Sequence, residues 1–261
     1  MTGDGDGGRD RDVEVARDGS VLRVTLNRPT KKNAVTRAMY VALAAALAEA
    51  EADAAIRVVL FSGGPAAFTA GNDLNDFLAA DRDLTPATRF IAALSQATKP
   101  MVAAVNGVAV GIGATMLLHC DLVYVGRTAS LSFPFLNLAL VPEAGSTALL
   151  PAAIGLPRAT SLLYFGERIS GEEAARLGMV TEALDDDEVQ AHAAARAHLL
   201  ARRAPQALAL TRALLRKPHA GAVAEATQRE LEAFSRLLDS GEAREALTAF
   251  KDKRPPDYSK L

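Results

Sequence analysis

The stretch that most constrains the fold of this chain runs from Met101 to Asp121 and reads MVAAVNGVAVGIGATMLLHCD. Its first five residues, 101–105, are apolar and partly β-branched, which is typical of a buried strand. The chain then passes Gly107, Gly111 and Gly113 before an apolar helical run. A strand that leads through a glycine-rich turn into a helix leaves backbone N–H groups without partners at the helix start, and such a turn can hold an oxyanion.

Two nucleotide-binding motifs also join a strand, glycines and a helix, but the spacing disfavours both. The glycines here follow the pattern G-x-x-x-G-x-G, and Met116 stands where a dinucleotide fingerprint needs its last glycine. No lysine followed by serine or threonine comes after the glycines, as a P-loop requires. The three glycines could simply allow close packing or positive φ, and we would favour that explanation without the second glycine loop at Gly71 in AFTAGNDL.

Composition excludes several classes of function. The formal net charge of −2 gives no electrostatic reason to expect a nucleic-acid partner. The single cysteine, Cys120, cannot form an internal disulfide and favours a reducing, cytoplasmic location. Residues 1–12, MTGDGDGGRDRD, are charged and glycine-rich, so we expect a solvated tail there and neither a signal peptide nor a membrane span.

The order of the predicted elements indicates an α/β fold. Two alternating segments flank Asp18-Gly19 as a hairpin, and Thr36 is placed to cap an alanine-rich helix that ends near Asp53. Strands predicted at 58–62, 101–105, 122–126 and 129–133 alternate with helices, which favours right-handed connections. From about residue 156 helix dominates, with separate helices predicted at 187–203, 205–215 and 221–239. We expect a core domain over 13–200 and a C-terminal helical region over 201–261.

Five segments, in this order, resemble the enoyl-CoA hydratase/isomerase superfamily, which has the crotonase fold. They are NRPTKKNA, AFTAGNDL, KPMVAAVNGVAVGIG, PFLNLALVPEAGST and ISGEEAARLGMV, and with the C-terminal FKDKRPPDYSKL they cover nearly the whole chain. The resemblance implies a spiral of ββα repeats with a C-terminal helical trimerisation region, and a homotrimer or dimer of trimers. It also implies an acyl-CoA thioester as substrate, with no cofactor because coenzyme A is part of that substrate.

The acidic residues distinguish between the reactions of this family. Hydratases resemble one another in carrying two glutamates, and those positions here hold Thr115 and Phe135, neither of which exchanges protons at neutral pH. Glu143 stands where 3-enoyl-CoA/2-enoyl-CoA isomerases of the peroxisomal type carry their base. One carboxylate suffices for a double-bond shift, because it can take a proton from one carbon and return it two carbons away. The resemblance therefore implies an enoyl-CoA isomerase with Glu143 as its sole acid/base.

The same resemblance implies the rest of the site. Backbone N–H groups of Asn72 and Ile112 would form the oxyanion hole for the thioester oxygen. The residues implied to bind coenzyme A are Arg28, Lys32, Ala66, Ala70, Phe250 and Lys253, the last two lent to a neighbouring subunit, and those implied to line the acyl pocket are Phe135, Thr115 and Leu138.

Other interpretations of these residues remain open. The same oxyanion site could hydrate a double bond or rearrange an aryl epoxide or oxepin, and a non-catalytic acyl-CoA-binding protein would leave Glu143 facing solvent. Asp73 is placed to cap a helix, and His119 has the position of a structural histidine. The remaining histidines lack metal-ligand spacing, so we expect no metal. We also expect no membrane association. The acyl group is not determined by the sequence.

Overall fold

The structure, a computed structural model, describes residues 12–79 and 81–259. The tail predicted for residues 1–12 lies outside this range except for Asp12. The strands in chain order are β1 (Val13–Asp18), β2 (Val21–Leu26), β3 (Val58–Ser62), β4 (Ala67–Thr69), β5 (Met101–Val105), β6 (Val108–Val110), β7 (Leu122–Gly126), β8 (Ser130–Ser132), β9 (Ile169–Ser170) and β10 (Glu182–Leu184).

The helices surround these strands and dominate the second half of the chain. In chain order they are α1 (Arg37–Ala52), α2 (Leu74–Leu78), α3 (Thr85–Gln96), α4 (Ile112–Thr115), α5 (Ser146–Ile154), α6 (Leu156–Phe165), α7 (Gly171–Arg176), α8 (Val189–Ala201), α9 (Pro205–Leu238) and α10 (Gly241–Lys251). Thr36 caps α1 as predicted, because its side chain accepts a hydrogen bond from the N–H of Met39 at 3.2 Å.

The larger sheet has the strand order β1-β2-β3-β5-β7-β10. Its first pair is the predicted antiparallel hairpin, and the other pairings are parallel. Residues of β5 are all buried because both faces of the sheet are covered, which explains the continuous apolar run that begins at Met101. One face, which includes Ala103, contributes to the main core with α1, and the opposite face, which includes Val102, packs against α8.

The smaller sheet positions the two glycine-rich turns. Its order is β4-β6-β8-β9, and it consists of strands two or three residues long. Strands β4, β6 and β9 of this sheet were not predicted, because strands of two or three residues are too short to show a period. Gly107 turns the chain from β5 into β6 with φ of 64°, and a Cβ there would lie 2.0 Å from the carbonyl oxygen of Ala66. Only glycine permits this close approach.

The helical region differs from the sequence-based expectation. The helices predicted at 205–215 and 221–239 are one continuous helix, α9, which contains Pro218. Proline removes one helical hydrogen bond, and tertiary contacts near it hold the helix in place. Arg212 and Arg216 both bind the carboxylate of Asp121, at 2.9 and 3.1 Å, directly before the proline. A domain boundary at residue 200 stays a prediction.

Candidate active site

Two glycine turns bring Asn72 and Ile112 to the same edge of the smaller sheet. Strands β4 and β6 are parallel neighbours in which Thr69 lies opposite Ala109, and each predicted donor lies three residues after its member of this pair. Carboxyl ends of adjacent parallel strands meet at one edge, so the two N–H groups lie close in space. Within 12–79 and 81–259, no protein acceptor binds the N–H of Asn72 or of Ile112.

Glycine precedes each of these donors because the backbone conformation requires it. Gly71 has φ of 91° and Gly111 has φ of 55°, values that residues with a side chain rarely adopt. A Cβ on Gly71 would lie 2.9 Å from the carbonyl oxygen of Val110, and one on Gly113 would lie 2.5 Å from Cγ2 of Thr69. The glycines therefore allow the two turns to approach each other and leave both N–H groups free for a ligand.

A cavity of about 570 Å³ opens beside the two turns. It contains six of the predicted site residues, namely Lys32, Ala70, Asn72, Phe135, Leu138 and Phe250. Gly71 and Gly111 also line it, so the predicted oxyanion hole faces this space. The sequence analysis did not predict Arg168, an exposed cation on the wall of the cavity, because a lone arginine in a turn carries no local signal of a site.

Glu143 faces a smaller cavity of about 60 Å³ that adjoins the first. Asn72 and Phe234 line both cavities, so Glu143 and one predicted oxyanion residue, Asn72, border the same small cavity. The residue is only 8% exposed, and among the described residues its Oε1 has no hydrogen-bond partner. This position is inconsistent with a glutamate that faces solvent.

The surroundings of Glu143 favour its neutral form. Burial, together with the charge of Glu230 on α9, raises the pKa of Glu143 to about 8. The apolar wall comes from distant elements, with Tyr40 on α1, Ile91 on α3 and Leu231 on α9. Of the apolar residues near Glu143 in sequence, Phe133 lies in the core, and Phe135, Leu138 and Leu140 line the larger cavity, whereas Leu136 is exposed. A carboxyl group with a pKa near neutrality can both accept and return a proton.

Tyr40 links the base cavity to the oxyanion turn. Its hydroxyl group donates a hydrogen bond to Oδ1 of Asn72. Burial raises the pKa of Tyr40, and the nearby carboxylates of Glu143 and Asp76 raise it further. The phenol therefore stays protonated and remains a donor. Sequence analysis missed Tyr40 because it is one apolar-face residue of an alanine-rich helix.

The backbone that presents Glu143 is unusual. Ala144 and Gly145 are both left-handed, with φ of 60° and 68°. Nε2 of His119 lies 2.7 Å from the carbonyl oxygen of Ala144. The pKa of His119 is lowered to about 4, mainly by burial and in part by the charges of Arg216 and Arg212. The hydrogen bond with Ala144 opposes this shift. The imidazole is therefore neutral and donates through Nε2, as expected of a structural histidine.

Besides Ile112, whose predicted role uses only its backbone N–H, four predicted site residues line neither cavity. Thr115, on α4, is completely buried and lines neither cavity, and its place in the acyl pocket stays a prediction. Arg28 uses its guanidinium for Asp73, at 2.7 Å, and for the carbonyl oxygen of Ala34. Ala66 and Lys253 are exposed and line neither cavity. The coenzyme A contacts of these last three residues stay predictions.

Asp73 has the capping role that the sequence predicts. Its Oδ1 accepts a hydrogen bond from the N–H of Asn75 at the start of α2. Among the described residues, no group of three or more His, Cys, Asp or Glu side chains is arranged to hold a metal ion. None of the helices in the described ranges combines the length and apolar character that crossing a membrane requires.

Comparison with known proteins identifies the family. The profile of the enoyl-CoA hydratase/isomerase family matches residues 16–260. The chain is 33% identical over 249 residues to 2,3-dehydroadipyl-CoA hydratase of Escherichia coli (strain K12), covering 94% of this chain and 97% of that protein. It is 30% identical over 260 residues to enoyl-CoA delta isomerase 2 of Rattus norvegicus, covering 97% of this chain and 66% of that protein.

A solved structure is similar over nearly the whole chain. The structure of Pseudomonas aeruginosa OdaA is 47% identical in sequence and superposes with a TM-score of 0.90, covering 92% of this chain and 99% of the other. The relatives include both hydratases and isomerases, so the family does not by itself select one reaction. The protein belongs to the enoyl-CoA hydratase/isomerase family, has the crotonase fold, and is an enzyme of the hydratase or isomerase type.

Proposed function

We propose that this protein is an acyl-CoA isomerase that converts 3-enoyl-CoA into trans-2-enoyl-CoA. One observation carries the proposal. Glu143 is a buried carboxyl group with a free oxygen in a cavity whose wall includes Asn72, the predicted oxyanion residue. A base on one side and N–H donors on the other are what proton transfer next to a thioester requires.

In the proposed reaction, Glu143 removes a proton from C2 of the acyl group. The electron pair of the broken C–H bond moves towards the thioester oxygen, and the N–H groups of Asn72 and Ile112 stabilise the charge of the dienolate. Glu143 then returns the proton to C4, so the double bond moves from C3–C4 to C2–C3 and no atom is gained or lost. Apolar walls contributed by Ile91 and Leu231 keep water from the dienolate.

Hydration is less well supported by the residues present. The two hydratase positions hold Thr115, buried in the core, and Phe135, which lines the larger cavity.

Asp73 and Asp76 share the cavity of Glu143, but Arg28 binds the first and Arg37 lies 3.8 Å from the second. Burial alone would raise the pKa of Asp73, but its hydrogen bonds and the charge of Arg28 together outweigh this effect and the pKa is lowered. Asp73 is therefore a poor proton donor at neutral pH.

The reaction can be tested with a panel of 3-enoyl-CoA, 2-enoyl-CoA and aryl-epoxide thioesters. We expect 3-enoyl-CoA to yield 2-enoyl-CoA, and Glu143→Gln to lose at least about 10²-fold in kcat because it removes the only proposed proton carrier. Binding of the thioester should be preserved. Glu188→Gln, an exposed glutamate that caps nothing with its side chain, is the control.

Other products would contradict the proposal. A 3-hydroxyacyl-CoA as main product would establish a hydratase, and conversion of the epoxide alone would establish a rearrangement. Binding without turnover of any thioester would indicate a non-catalytic acyl-CoA-binding protein. Near-normal kcat of Glu143→Gln would remove Glu143 from the mechanism.

We also propose a homotrimer or a dimer of trimers. Support comes from large apolar side chains exposed on two helices, namely Leu156, Tyr164 and Phe165 on α6 and Leu210, Leu214 and Leu215 on α9. Such apolar surface is typical of a subunit interface. Light scattering of the purified protein would measure the assembly, and a monomer at micromolar concentration would contradict it.

A further inference from the structure

Glu230 is a second buried carboxylate beside the proposed base, and the reaction does not use it. It lies on α9, is 4% exposed, and reaches the chain directly after Glu143. Its oxygens accept hydrogen bonds from the N–H of Gly145 at 2.6 Å, the N–H of Thr147 at 2.8 Å and the hydroxyl of Thr147 at 2.6 Å. All three donors are neutral, so these bonds leave the charge of Glu230 uncancelled.

These bonds cap helix α5 from a distance. The N-cap position of α5 is Gly145, which has no side chain to bind the free N–H groups of the first turn. Glu230, 83 residues after Thr147, provides that cap, and its negative charge is favourable at a helix N-terminus. The start of α5 is thereby fixed to α9.

The capped segment includes the backbone that aims Glu143. Ala144 is held in a left-handed conformation that alanine rarely adopts, so the surrounding contacts must impose it. Helix α9 packs against the next residue, because a Cβ on Gly145 would lie 2.9 Å from Oγ1 of Thr227 and 3.0 Å from Cγ1 of Val223. The N–H of Ser146 returns to the carbonyl oxygen of Glu143 at 3.2 Å.

We propose that Glu230 is a positioning residue for Glu143, because it fixes the turn that directs the Glu143 carboxyl group into its cavity. The negative charge of Glu230 acts in addition, because it raises the pKa of Glu143. This inference rests on the proposed function, in which Glu143 is the base. Glu230 binds the backbone of Gly145 and Thr147. It therefore affects Glu143 through the conformation of the turn and through electrostatic repulsion between the two carboxyl groups.

Several other ionisable groups lie near Glu143, and their own partners limit their effect on its protonation. They are Arg37, Tyr40, Asp73, Asp76 and Asp83 in the same cavity, and His119 behind Ala144. Asp73 binds Arg28, Asp76 lies near Arg37, and Asp83 accepts a hydrogen bond from the N–H of Thr85. The pKa of Glu230 is itself raised by burial, so two buried carboxyl groups compete to be ionised.

Glu230→Gln tests both parts of the proposal. Glutamine keeps only one of the two acceptor oxygens that bind Gly145 and Thr147, so one of these contacts is lost and the turn loosens. We expect kcat at the pH plateau to fall about 10-fold, with KM within about 2-fold. Loss of the charge should move the acidic limb of the kcat profile to lower pH by roughly one unit. Glu225→Gln, the same change at an exposed site of the same helix, should leave both unchanged.

Protonation of Glu143 can also be measured without catalysis. In protein labelled with carbon-13 at the glutamate side-chain carboxyl, the Glu143 signal is the one that Glu143→Gln removes. We expect Glu230→Gln to lower the titration midpoint of the Glu143 signal by roughly one pH unit. An unchanged midpoint together with unchanged kcat would overturn the inference.

The two proposals can fail separately. If Glu143→Gln stays active, the proposed function fails. If that variant is inactive while Glu230→Gln matches Glu225→Gln, the isomerase stands and the positioning role fails. Should Glu230→Gln not fold, Glu230→Asp keeps the charge on a shorter side chain. We then expect a lower kcat with an unmoved acidic limb, and an unchanged kcat would refute positioning.

Discussion

The neutral imidazole of His119 lies 2.7 Å from the carbonyl oxygen of Ala144 and donates a hydrogen bond to it. His119 ends the short 3-10 helix (Met116–His119) that follows α4, whose first residue supplies one proposed oxyanion donor. Ala144 follows the proposed base. A single buried hydrogen bond therefore connects the element that would stabilise the enolate with the element that would move the proton.

His119→Leu should destabilise the protein by about 1–3 kcal/mol, because the buried carbonyl of Ala144 would lose its donor. Urea unfolding at neutral pH measures this change. His219→Leu, at an exposed position of α9, is the matched control and should change the free energy of unfolding by no more than about 0.5 kcal/mol. Equal effects of the two substitutions would show that the bond to Ala144 is unimportant.

The loss caused by His119→Leu should depend on pH. The pKa of His119 is lowered from 6.5 to about 4 by burial, so the unfolded chain binds a proton that the folded protein does not. The wild type therefore loses stability as the pH falls from about 6.5 towards 4, whereas the leucine variant lacks this contribution. We expect the difference between the two proteins to shrink over that range, and a constant difference would contradict a buried neutral imidazole.

Glu143→Gln should become more stabilising as the pH rises. The pKa of Glu143 is raised from 4.5 to about 8 by burial and Glu230, so the folded protein retains a proton that the unfolded chain has lost. Wild-type stability therefore falls as the pH rises through this window, by at most about 1.4 kcal/mol per pH unit from this group. Glutamine has no charge to bury. Thermal unfolding between pH 5 and 9 should show the gap widening, and Glu188→Gln should show no such trend.

Gly71→Ala tests the backbone donor of Asn72. A Cβ at Gly71 would meet the carbonyl oxygen of Val110 at 2.9 Å, so the turn must shift and the N–H of Asn72 with it. Removal of one oxyanion donor typically costs about 10²–10³ in kcat, and we expect a loss in that range with thioester binding preserved.

Gly19→Ala is the control for backbone strain in this experiment. Gly19 has φ of 60°, and a Cβ there would meet nothing within 4 Å in the β1–β2 turn. We expect a small loss of stability and unchanged kcat. If the two alanine variants lost kcat equally, the effect at Gly71 would reflect general destabilisation, and the oxyanion role of Asn72 would be rejected.

The sequence predicted those parts of the fold whose signals are local. The run from Met101 to Val105 is apolar because both faces of its sheet are covered. The side chain of Thr36 accepts a hydrogen bond from the N–H of Met39, only three residues later. The strand β6 and the continuity of α9 through Pro218 were not predictable in this way. Both depend on which distant segment packs alongside, and hydrophobic periodicity does not encode that partner.

The candidate site shows the same division. Glu143 was identified by resemblance to a family motif, but its cavity is formed by Tyr40, Ile91 and Leu231 from three separate helices. Glu230 contacts the turn from 83 residues away along the chain. Each of these residues is ordinary in its own helix, and only the tertiary fold brings them to the carboxyl group.

Lys32 should contribute to thioester affinity through the phosphates of coenzyme A. It is exposed, it lines the larger cavity, and its backbone carbonyl accepts a hydrogen bond from Ala70 beside the oxyanion turn. A charge-assisted contact with phosphate is worth about 1.5–3 kcal/mol, so Lys32→Met should raise the dissociation constant of an acyl-CoA about 10-fold or more.

Lys31→Met is the control, because Lys31 is equally exposed but does not line the cavity. Calorimetric titration at two salt concentrations separates the possibilities. If Lys32 contacts a phosphate, only Lys32→Met weakens acyl-CoA binding, and the difference from wild type shrinks at high salt because salt screens the phosphates. A general effect of surface charge would weaken binding equally in both variants. The second result would exclude Lys32 as a phosphate contact, and Arg168, on the wall of the same cavity, would then be the next cation to substitute.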